Sequence, residues 1–343
     1  MSTTETATNV APSTALVYEL AEAASAGDRS LLAGLGSLPA HHPHRNPLDP
    51  ARLTYTRSWF GLGAAAAALG ALGLRQFGWP VAAGAGVLGA AGLAYAKRYE
   101  PAHPTLERVV LRLPQLPPAL DRLRIGQISD THLGMPHTAD NLAWAIEQMR
   151  REQPALIALT GDLVGLRRSI PDLPMLLGQL RAPLGVYAVP GNHDYWEGLA
   201  DIHAALSLAD IPLLLNQNRR LGWNGADLWV VGIDDLWDGR PDFDAALDGV
   251  PPGAFKILLA HSPDVADNAV AHGFALQISG HTHGGHLRLP LLGPFARPRF
   301  GVRYVMGQYQ IGDMTLYVSR GLGGVALRLL CRPEATIFTL RCG

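Results

Sequence analysis

The segment ALQISGHTHGG at residues 275–285 decides the fold of this 343-residue chain. Its apolar run, Ala275–Ser279, is followed directly by Gly280 and then by two histidines, His281 and His283. A short apolar run bounded by glycine is typical of a buried strand. In α/β proteins, side chains just past the carboxyl ends of strands line the crevice in which ligands bind. The segment therefore predicts a buried strand that ends in metal-capable side chains.

Four further apolar runs end in the same way. In chain order, the runs and the polar residues after them are Arg124–Ser129 before Asp130 and His132, Ala155–Thr160 before Asp162, Leu184–Pro190 before Asn192, His193 and Asp194, and Lys256–Ala260 before His261. One such ending is weak evidence, because Gly-Asp pairs and asparagine are common in turns. Five of them predict a single site at one edge of the sheet structure.

Helical patterns separate several of these runs, and the alternation predicts a layered α/β fold. The helical segments are Ala139–Glu152, Leu173–Arg181 and Pro263–Ala271, and further strands are predicted at Leu228–Ile233, Met314–Ser319 and Thr336–Arg341. Aspartate oxygens combined with imidazole nitrogens suit Mn, Fe or Zn better than Ca or Mg. Seven potential ligands exceed the four of one structural zinc, so the sequence predicts two divalent ions.

Taken in order, the motifs D-x-H, G-D, G-N-H-D, H and G-H-T-H resemble those of the calcineurin-like metallophosphoesterases, over nearly all of residues 100–343. The chain looks most like the membrane-anchored bacterial branch of that family. Three stretches carry this likeness: Tyr99-Glu100-Pro101, GHTHGG at 280–285 and YVSRGLG at 317–323. The resemblance implies a two-sheet sandwich flanked by helices, which agrees with the alternation of strands and helices.

The resemblance also implies a role for each motif residue. The implied ligands are Asp130, His132 and His283 for the first ion, Asn192, His261 and His281 for the second, and Asp162 as the bridge between them. The two ions would share a water, lower its pKa and direct it at phosphorus. His193 would donate a proton or a hydrogen bond to the leaving oxygen, and Asn192 would also contact a phosphate oxygen.

One position departs from the family pattern. The family often has G-D-x-x-D, in which the second aspartate orients the catalytic histidine, whereas this chain has Gly165 at that place. Without the carboxylate we expect His193 to be less basic and less firmly held. Asp194 or a nearby backbone carbonyl is a candidate replacement.

The first 97 residues fall into two parts. Residues 1–57 are polar and are expected to be largely disordered. Residues 58–97 read as two short apolar helices, 59–74 and 78–96, which predict a transmembrane hairpin ahead of a catalytic domain at 98–343. A buried hairpin of a soluble protein is the alternative.

Basic residues flank the predicted hairpin on both sides. They are Arg45, Arg52 and Arg57 before it and Lys97 and Arg98 after it, whereas the turn carries only Arg75. By the positive-inside rule both flanks would lie in the cytoplasm. We therefore expect a bacterial inner-membrane protein with its catalytic domain on the cytoplasmic side.

The composition limits the classes of binding partner that we expect. The formal net charge is −1, with 48% hydrophobic residues, which excludes a disordered chain. Without a basic stripe no nucleic-acid partner is expected. The expected partners are a phosphate-containing substrate and the lipid bilayer.

The segment LPLLGPFARPRF at residues 289–300 bears on the substrate. It would suit a lipid tail or the bilayer, with Arg297 and Arg299 as candidate residues for a headgroup phosphate; a loop packed on the domain is the alternative. Outside this segment, Arg320 is a candidate for a second phosphate, with a solvated arginine as the alternative. The sequence thus predicts a membrane-anchored dimetal phosphohydrolase that cleaves a phosphodiester or pyrophosphate, with a lipid-linked molecule such as UDP-diacylglucosamine as candidate substrate. The alternatives are a nucleotide phosphodiesterase of the same family and a catalytically silent metal-binding membrane adaptor.

Overall fold

A computed structural model describes residues 78–343 apart from 290 and 292, together with the isolated positions 68, 72, 75 and 76. The predicted disordered segment 1–57 and most of the first predicted apolar helix, 59–74, lie outside the described residues. Both therefore stay predictions.

The second predicted apolar helix is present and is longer than expected. Helix α1 spans Trp79–Ala94, with Pro80 in its first turn, where proline's missing N–H has no helical partner to lose. It continues through a π-helical turn at Tyr95–Tyr99 and a 3-10 turn at Glu100–Ala102. These 24 residues form one apolar helix long enough to cross a membrane by length and composition, and no residue of α1 itself is buried.

The first of two main sheets has five strands in the order β1-β13-β2-β3-β4. The strands are β1 Thr105–Leu113, β2 Arg124–Ile128, β3 Leu156–Thr160, β4 Val186–Val189 and β13 Glu334–Cys342. Strands β2, β3 and β4 are parallel, whereas β13 is antiparallel to β2 and parallel to β1. The carboxyl ends of β2, β3 and β4 therefore lie at one edge.

The second sheet has six strands in the order β11-β12-β8-β7-β6-β5. The strands are β5 Gln217–Trp223, β6 Ala226–Gly232, β7 Lys256–Leu259, β8 Leu276–Ser279, β11 Gly307–Ile311 and β12 Met314–Val318. The four inner strands are parallel and the two outer strands are antiparallel to their neighbours. A short hairpin joins β9 Arg288–Leu289 to β10 Gly293–Pro294.

Helices cover the outer faces of both sheets. They are α2 Thr138–Glu152, α3 Leu173–Leu177, α4 Asn192–Glu197, α5 Leu199–Leu208, α6 Phe243–Ala246 and α7 Ala266–Ala269. Residues of α2, α3 and α5 pack on the first sheet, and residues of α6 and α7 pack on the second. Between the sheets, Ile125 and Leu156 share one core with Ile257 and Leu276. The predicted two-sheet α/β sandwich flanked by helices is confirmed.

Candidate metal centre and active site

The polar strand endings of both sheets meet at one place. The backbone N–H of His281, after β8, donates to the Asp130 carboxylate, after β2, at 3.0 Å. The side-chain amide of Gln127 donates to the Ser279 carbonyl at 2.9 Å and so joins the same two strands. Because these bonds cross from one sheet to the other, the endings of β2 and β8 are held side by side.

Backbone conformation marks the strand endings as unusual. Five of the seven candidate ligands have left-handed φ angles, namely Asp130 (51°), His132 (43°), Asp162 (53°), His281 (74°) and His283 (50°). Non-glycine residues adopt this region rarely and at a cost in conformational energy. Such strain concentrates at functional sites, where the surrounding structure compensates for it.

The candidate ligands form two groups that share one carboxylate. In the first group, Asp130, His132, Asp162 and His283 each offer a ligand atom within 4.8 Å of the others. In the second group, Asp162, His261 and His281 do the same. All six side chains are buried. Asp162 belongs to both groups, as a carboxylate that bridges two ions would.

The hydrogen bonds of two histidines show which nitrogens are free to bind an ion. His261 donates from Nδ1 to the Thr160 carbonyl at 2.8 Å, and His281 donates from Nε2 to the Arg299 carbonyl at 2.6 Å. Their other nitrogens, Nε2 of His261 and Nδ1 of His281, face each other at 3.1 Å. Two lone pairs at that distance repel unless a proton or a metal ion lies between them. Backbone bonds of this kind commonly orient metal-ligating histidines.

Asn192 adds a further candidate metal ligand to the second group. It opens α4, and its buried Oδ1 has no hydrogen-bond partner in the described part of the chain. An unsatisfied buried carbonyl oxygen is costly, and an ion is a suitable partner for it. The neighbouring residue is Gly191, where a Cβ atom would lie 2.3 Å from Oδ1 of Asp162. Glycine therefore lets the chain pass close to the shared carboxylate. The residues present fit two divalent ions.

Electrostatics support the same interpretation. Burial alone would lower the pKa of His261, but the Asp162 carboxylate 3.3 Å away outweighs it and raises that pKa to about 10. The same contact outweighs burial at Asp162 and holds its pKa well below the usual value. Burial lowers the pKa of His132 and of His281 to about 3, which leaves both rings neutral. Neutral imidazole is the form that binds metal ions, so His132 and His281 are ready to bind, whereas His261 holds a proton beside Asp162 that a bound ion would replace.

The candidate proton donor lies directly beside the two groups. The backbone N–H of His193 donates to Oδ1 of Asp162 at 2.8 Å. Its half-buried ring packs edge-on against His132, with 4.5 Å between centroids. It also packs against Trp196 at 4.4 Å, with the two rings tilted by 54°. His193 thus faces the ligand groups without belonging to either of them.

A cavity of about 310 Å³ opens above the ligand groups. Besides five of the predicted ligands and His193, its lining includes Trp196, Trp237, Met135 and Val325. We did not predict a role for the two tryptophans from the sequence. Trp196 stands three residues after His193, a spacing that places both on the same face of a helix, and this signal was available in the sequence.

The structure separates the three predicted phosphate-binding arginines. Arg299 lines the cavity, whereas Arg297 is exposed and donates to the Val302 carbonyl at 3.2 Å. Arg320 does not line the cavity, and its side chain forms ion pairs with Glu107 and Glu334. Because two carboxylates already neutralise this guanidinium, the predicted phosphate contact of Arg320 is not supported by the structure.

At Gly165, where the family often has an orienting aspartate, the neighbouring residues pack closely against the backbone. A Cβ atom there would lie 2.6 Å from Cγ of Met135 and 2.9 Å from the backbone oxygen of His132, so an aspartate in this chain would require Met135 and the His132 backbone to move. Asp194, one suggested replacement, accepts backbone N–H groups of Gly191, Leu163 and Val164. Its carboxylate therefore holds the loop after β3 against the start of α4.

The fold and the site together define a class, the metal-dependent phosphoesterases. Residues 123–285 match the family model of the calcineurin-like phosphoesterases. The metallophosphoesterase YkuE of Bacillus subtilis is 35% identical over 76% of this chain and 93% of its own length. Phosphodiesterase YaeI of Escherichia coli is 36% identical over 59% of this chain and 74% of its length. The chain belongs to the calcineurin-like phosphoesterase family.

A relative from cattle is also similar. The bovine protein named as a transmembrane protein with a metallophosphoesterase domain is 33% identical over 74% of this chain. This chain covers 60% of the bovine protein's length.

Proposed function

We propose that this protein hydrolyses a phosphodiester or pyrophosphate bond at two divalent ions. The observation that carries the proposal is the shared carboxylate of Asp162 between two buried ligand groups. The proposed ligands are Asp130, His132 and His283 for one ion, Asn192, His261 and His281 for the other, and Asp162 for both. Their mixed oxygen and nitrogen donors favour manganese, iron or zinc.

When bound, two such ions supply a water of lowered pKa and neutralise charge on the phosphate oxygens. In the reaction, water oxygen bonds to phosphorus, the bond from phosphorus to the leaving oxygen breaks, and the leaving oxygen takes up a proton. His193 would supply that proton, because it lies beside the ligand groups and is positioned through its N–H to Asp162. The Asn192 amide would donate to a phosphate oxygen.

The test uses the full-length chain, stripped of metal and reloaded with manganese, zinc or iron, with bis-para-nitrophenyl phosphate as substrate. We expect metal-dependent turnover that is lost in Asp162→Ala and His281→Ala. His193→Ala should lower kcat by about a hundredfold or more while metal content is unchanged. His103→Ala is the matched control, since this exposed histidine does not line the cavity.

The alternative of a silent adaptor is favoured by one observation, the absence of a carboxylate at Gly165. It predicts a folded protein that binds two ions and hydrolyses no phosphoester with any metal. That outcome of the turnover measurement would replace the hydrolase proposal with the adaptor.

We also propose that α1 anchors the protein in the bacterial inner membrane, with the catalytic domain on the cytoplasmic side. The end of the helix is attached to the domain, because the buried Glu100 carboxylate accepts the N–H groups of Leu330 and Cys331. Leu291 and Leu330 are exposed on loops of the catalytic domain. Exposed apolar side chains of this kind would suit a lipid-linked substrate, with UDP-diacylglucosamine as one candidate.

The anchor is tested by charge placed in α1. Val87 and Leu88 are exposed, and each arginine introduced at the centre of a membrane span costs about 2.5–3.5 kcal/mol. We expect the double variant Val87→Arg/Leu88→Arg to leave the membrane fraction in flotation, whereas Val87→Leu/Leu88→Val stays. Protease access to a C-terminal tag in inside-out vesicles, and protection in sealed cells, is expected for a cytoplasmic domain. Equal flotation of both variants would contradict the anchor.

A further inference from the structure

Five rings form a continuous arc around the cavity above the ligand groups. In order they are His132, His193, Trp196, Trp237 and His281, with successive centroid distances of 4.5, 4.4, 5.7 and 6.0 Å. The arc begins at a residue of the first ligand group and ends at a residue of the second. The two tryptophans are the part of the arc that holds no ion and donates no proton in the proposed reaction.

Both tryptophans are held in place by their surroundings. The indole N–H of Trp196 donates to Oδ2 of Asp238 at 2.7 Å. Trp237 contacts the Trp196 ring edge-on at 85° and the Phe300 ring at 79°. The Arg299 guanidinium lies 6.0 Å from the Trp237 centroid and 4.6 Å from the Phe300 centroid. Rings fixed in this way offer a preformed surface to a ligand.

Arg299 also connects the two tryptophans to the ligand groups. Its backbone carbonyl accepts the N–H of His281 Nε2 at 2.6 Å, while its side chain lies against Trp237. One residue therefore orients a candidate ion ligand and supports the tryptophan next to it. The position of Trp237 relative to the candidate ion site is thus set by its contact with Arg299.

The position of His193 decides which part of a substrate would meet the tryptophans. The oxygen that takes the proton from His193 belongs to the leaving group, and His193 packs directly against Trp196. A substituent on that oxygen would therefore lie alongside Trp196 and Trp237. The cavity, at about 310 Å³, is at the small end of ligand-pocket volumes and favours a compact substituent.

We propose that Trp196 and Trp237 form a subsite for a planar aromatic ring carried by the leaving group. The inference rests on the proposed hydrolase function and adds a substrate class to it. Aromatic rings attract one another in stacked and edge-to-face arrangements beyond the effect of buried area, and an aliphatic group of similar size lacks this attraction. An aryl leaving group should therefore be preferred by about tenfold.

The kinetic test compares two substrates that differ in planarity and have leaving groups of similar acidity: methyl phenyl phosphate and methyl hexafluoroisopropyl phosphate, of which the second has the slightly better leaving group. With the manganese-loaded full-length protein, we expect kcat/KM to be about tenfold higher for the phenyl ester. Trp237→Leu should remove this preference by slowing the phenyl ester alone, and Trp237→Phe should keep most of it. Trp144→Leu is the matched control, since Trp144 is a half-buried residue of α2 that packs against the core and does not line the cavity.

A binding measurement tests the subsite independently of catalytic turnover. Phenylphosphonate and cyclohexylphosphonate have rings of similar size, of which only the first is planar. We expect tryptophan fluorescence to report tighter binding of phenylphosphonate to the wild type and equal binding of both to Trp237→Leu. Circular dichroism and metal content should be unchanged in the variant.

The outcomes distinguish the two proposals. Equal affinities of the two phosphonates in the wild type, or an equal loss of both in Trp237→Leu, would overturn the aromatic subsite even if turnover is present. No turnover of either ester together with a retained preference for phenylphosphonate would overturn the hydrolase and support the subsite as a ring-binding site.

Discussion

Asn192 and Asn141 are both buried asparagines, but their side chains differ in their hydrogen bonds. The amide of Asn141 donates to the carbonyls of Pro101 and Leu322 at 2.8 and 2.9 Å. The Oδ1 atom of Asn192 has no partner in the part of the chain that the structure describes. A side chain that lacks a protein partner for its buried oxygen is poorly explained by folding stability and well explained by a ligand.

The pair provides a test at the scale of the residue. We expect Asn192→Ala to reduce bound metal from two ions to about one, measured by elemental analysis. In the metal-free protein the same change should alter the free energy of unfolding by less than about 1 kcal/mol, because its oxygen loses no hydrogen bond. Asn141→Ala, the matched control, should keep both ions and cost about 1–3 kcal/mol in denaturant unfolding. Equal destabilisation of the metal-free protein by both changes would contradict the role of Asn192.

At the scale of the element, the site depends on how closely the ends of strands from different sheets approach each other. Gly280 follows β8, and a Cβ atom there would lie 1.9 Å from Oγ of Ser129 and 2.2 Å from Oδ2 of Asp130. Only glycine therefore fits at this position, where the end of β8 passes the end of β2. Gly222 on β5 has no such neighbour within 4 Å.

We expect Gly280→Ala to separate the two strand ends and to lower both stability and metal affinity. Overpacking of this kind costs about 1–3 kcal/mol, and bound metal should decrease in parallel because Asp130 and His281 move apart. Gly222→Ala should leave both unchanged or slightly increase stability. Thermal unfolding and metal titration of the two variants provide the measurement. Unchanged metal affinity in Gly280→Ala would show that the approach of β8 to β2 does not shape the site.

At the scale of the whole molecule, the proposed ions would connect the two sheets. Asp130, His132, Asp162 and Asn192 follow strands of the first sheet, and His261, His281 and His283 follow strands of the second. Each ion would therefore take ligands from both sheets. Because the unfolded chain cannot present these ligands together, bound ions should stabilise the whole domain.

Metal removal tests this connection. An ion present at about 100 times its Kd adds about 2.7 kcal/mol to the free energy of unfolding, and each kcal/mol raises Tm by roughly 2–4 °C in a domain of this size. We expect a chelator to lower Tm by at least about 5 °C and manganese to restore it. The shift should be smaller in His281→Ala. A Tm that does not respond to metal would argue against ions that join the two sheets.

The buried strands that end at the site, and the residues after them, could be predicted from the sequence alone. Strands β2, β3, β4, β7 and β8 are buried on both faces, so each reads as an apolar run, and the chemistry follows directly after it. Strand β4 ends the first sheet but is buried, and its Ala188 forms a bridge with Leu213. The other three edge strands, β1, β5 and β11, were not predicted. Their exposed or half-exposed residues include many polar ones, because an edge strand has fewer neighbours to pack against.

The sequence by itself thus determined the fold class, the family and the residue types of a candidate metal site, because these depend on local patterns and on the order of motifs. Only the tertiary structure decided which arginine lines the cavity, that Asp194 is committed to backbone N–H groups, and that Trp196 and Trp237 stand between the two ligand groups. Trp196 follows β4 of the first sheet and Trp237 follows β6 of the second, so the distance of 5.7 Å between their rings is set by the packing of one sheet on the other. No local pattern encodes a distance of that kind.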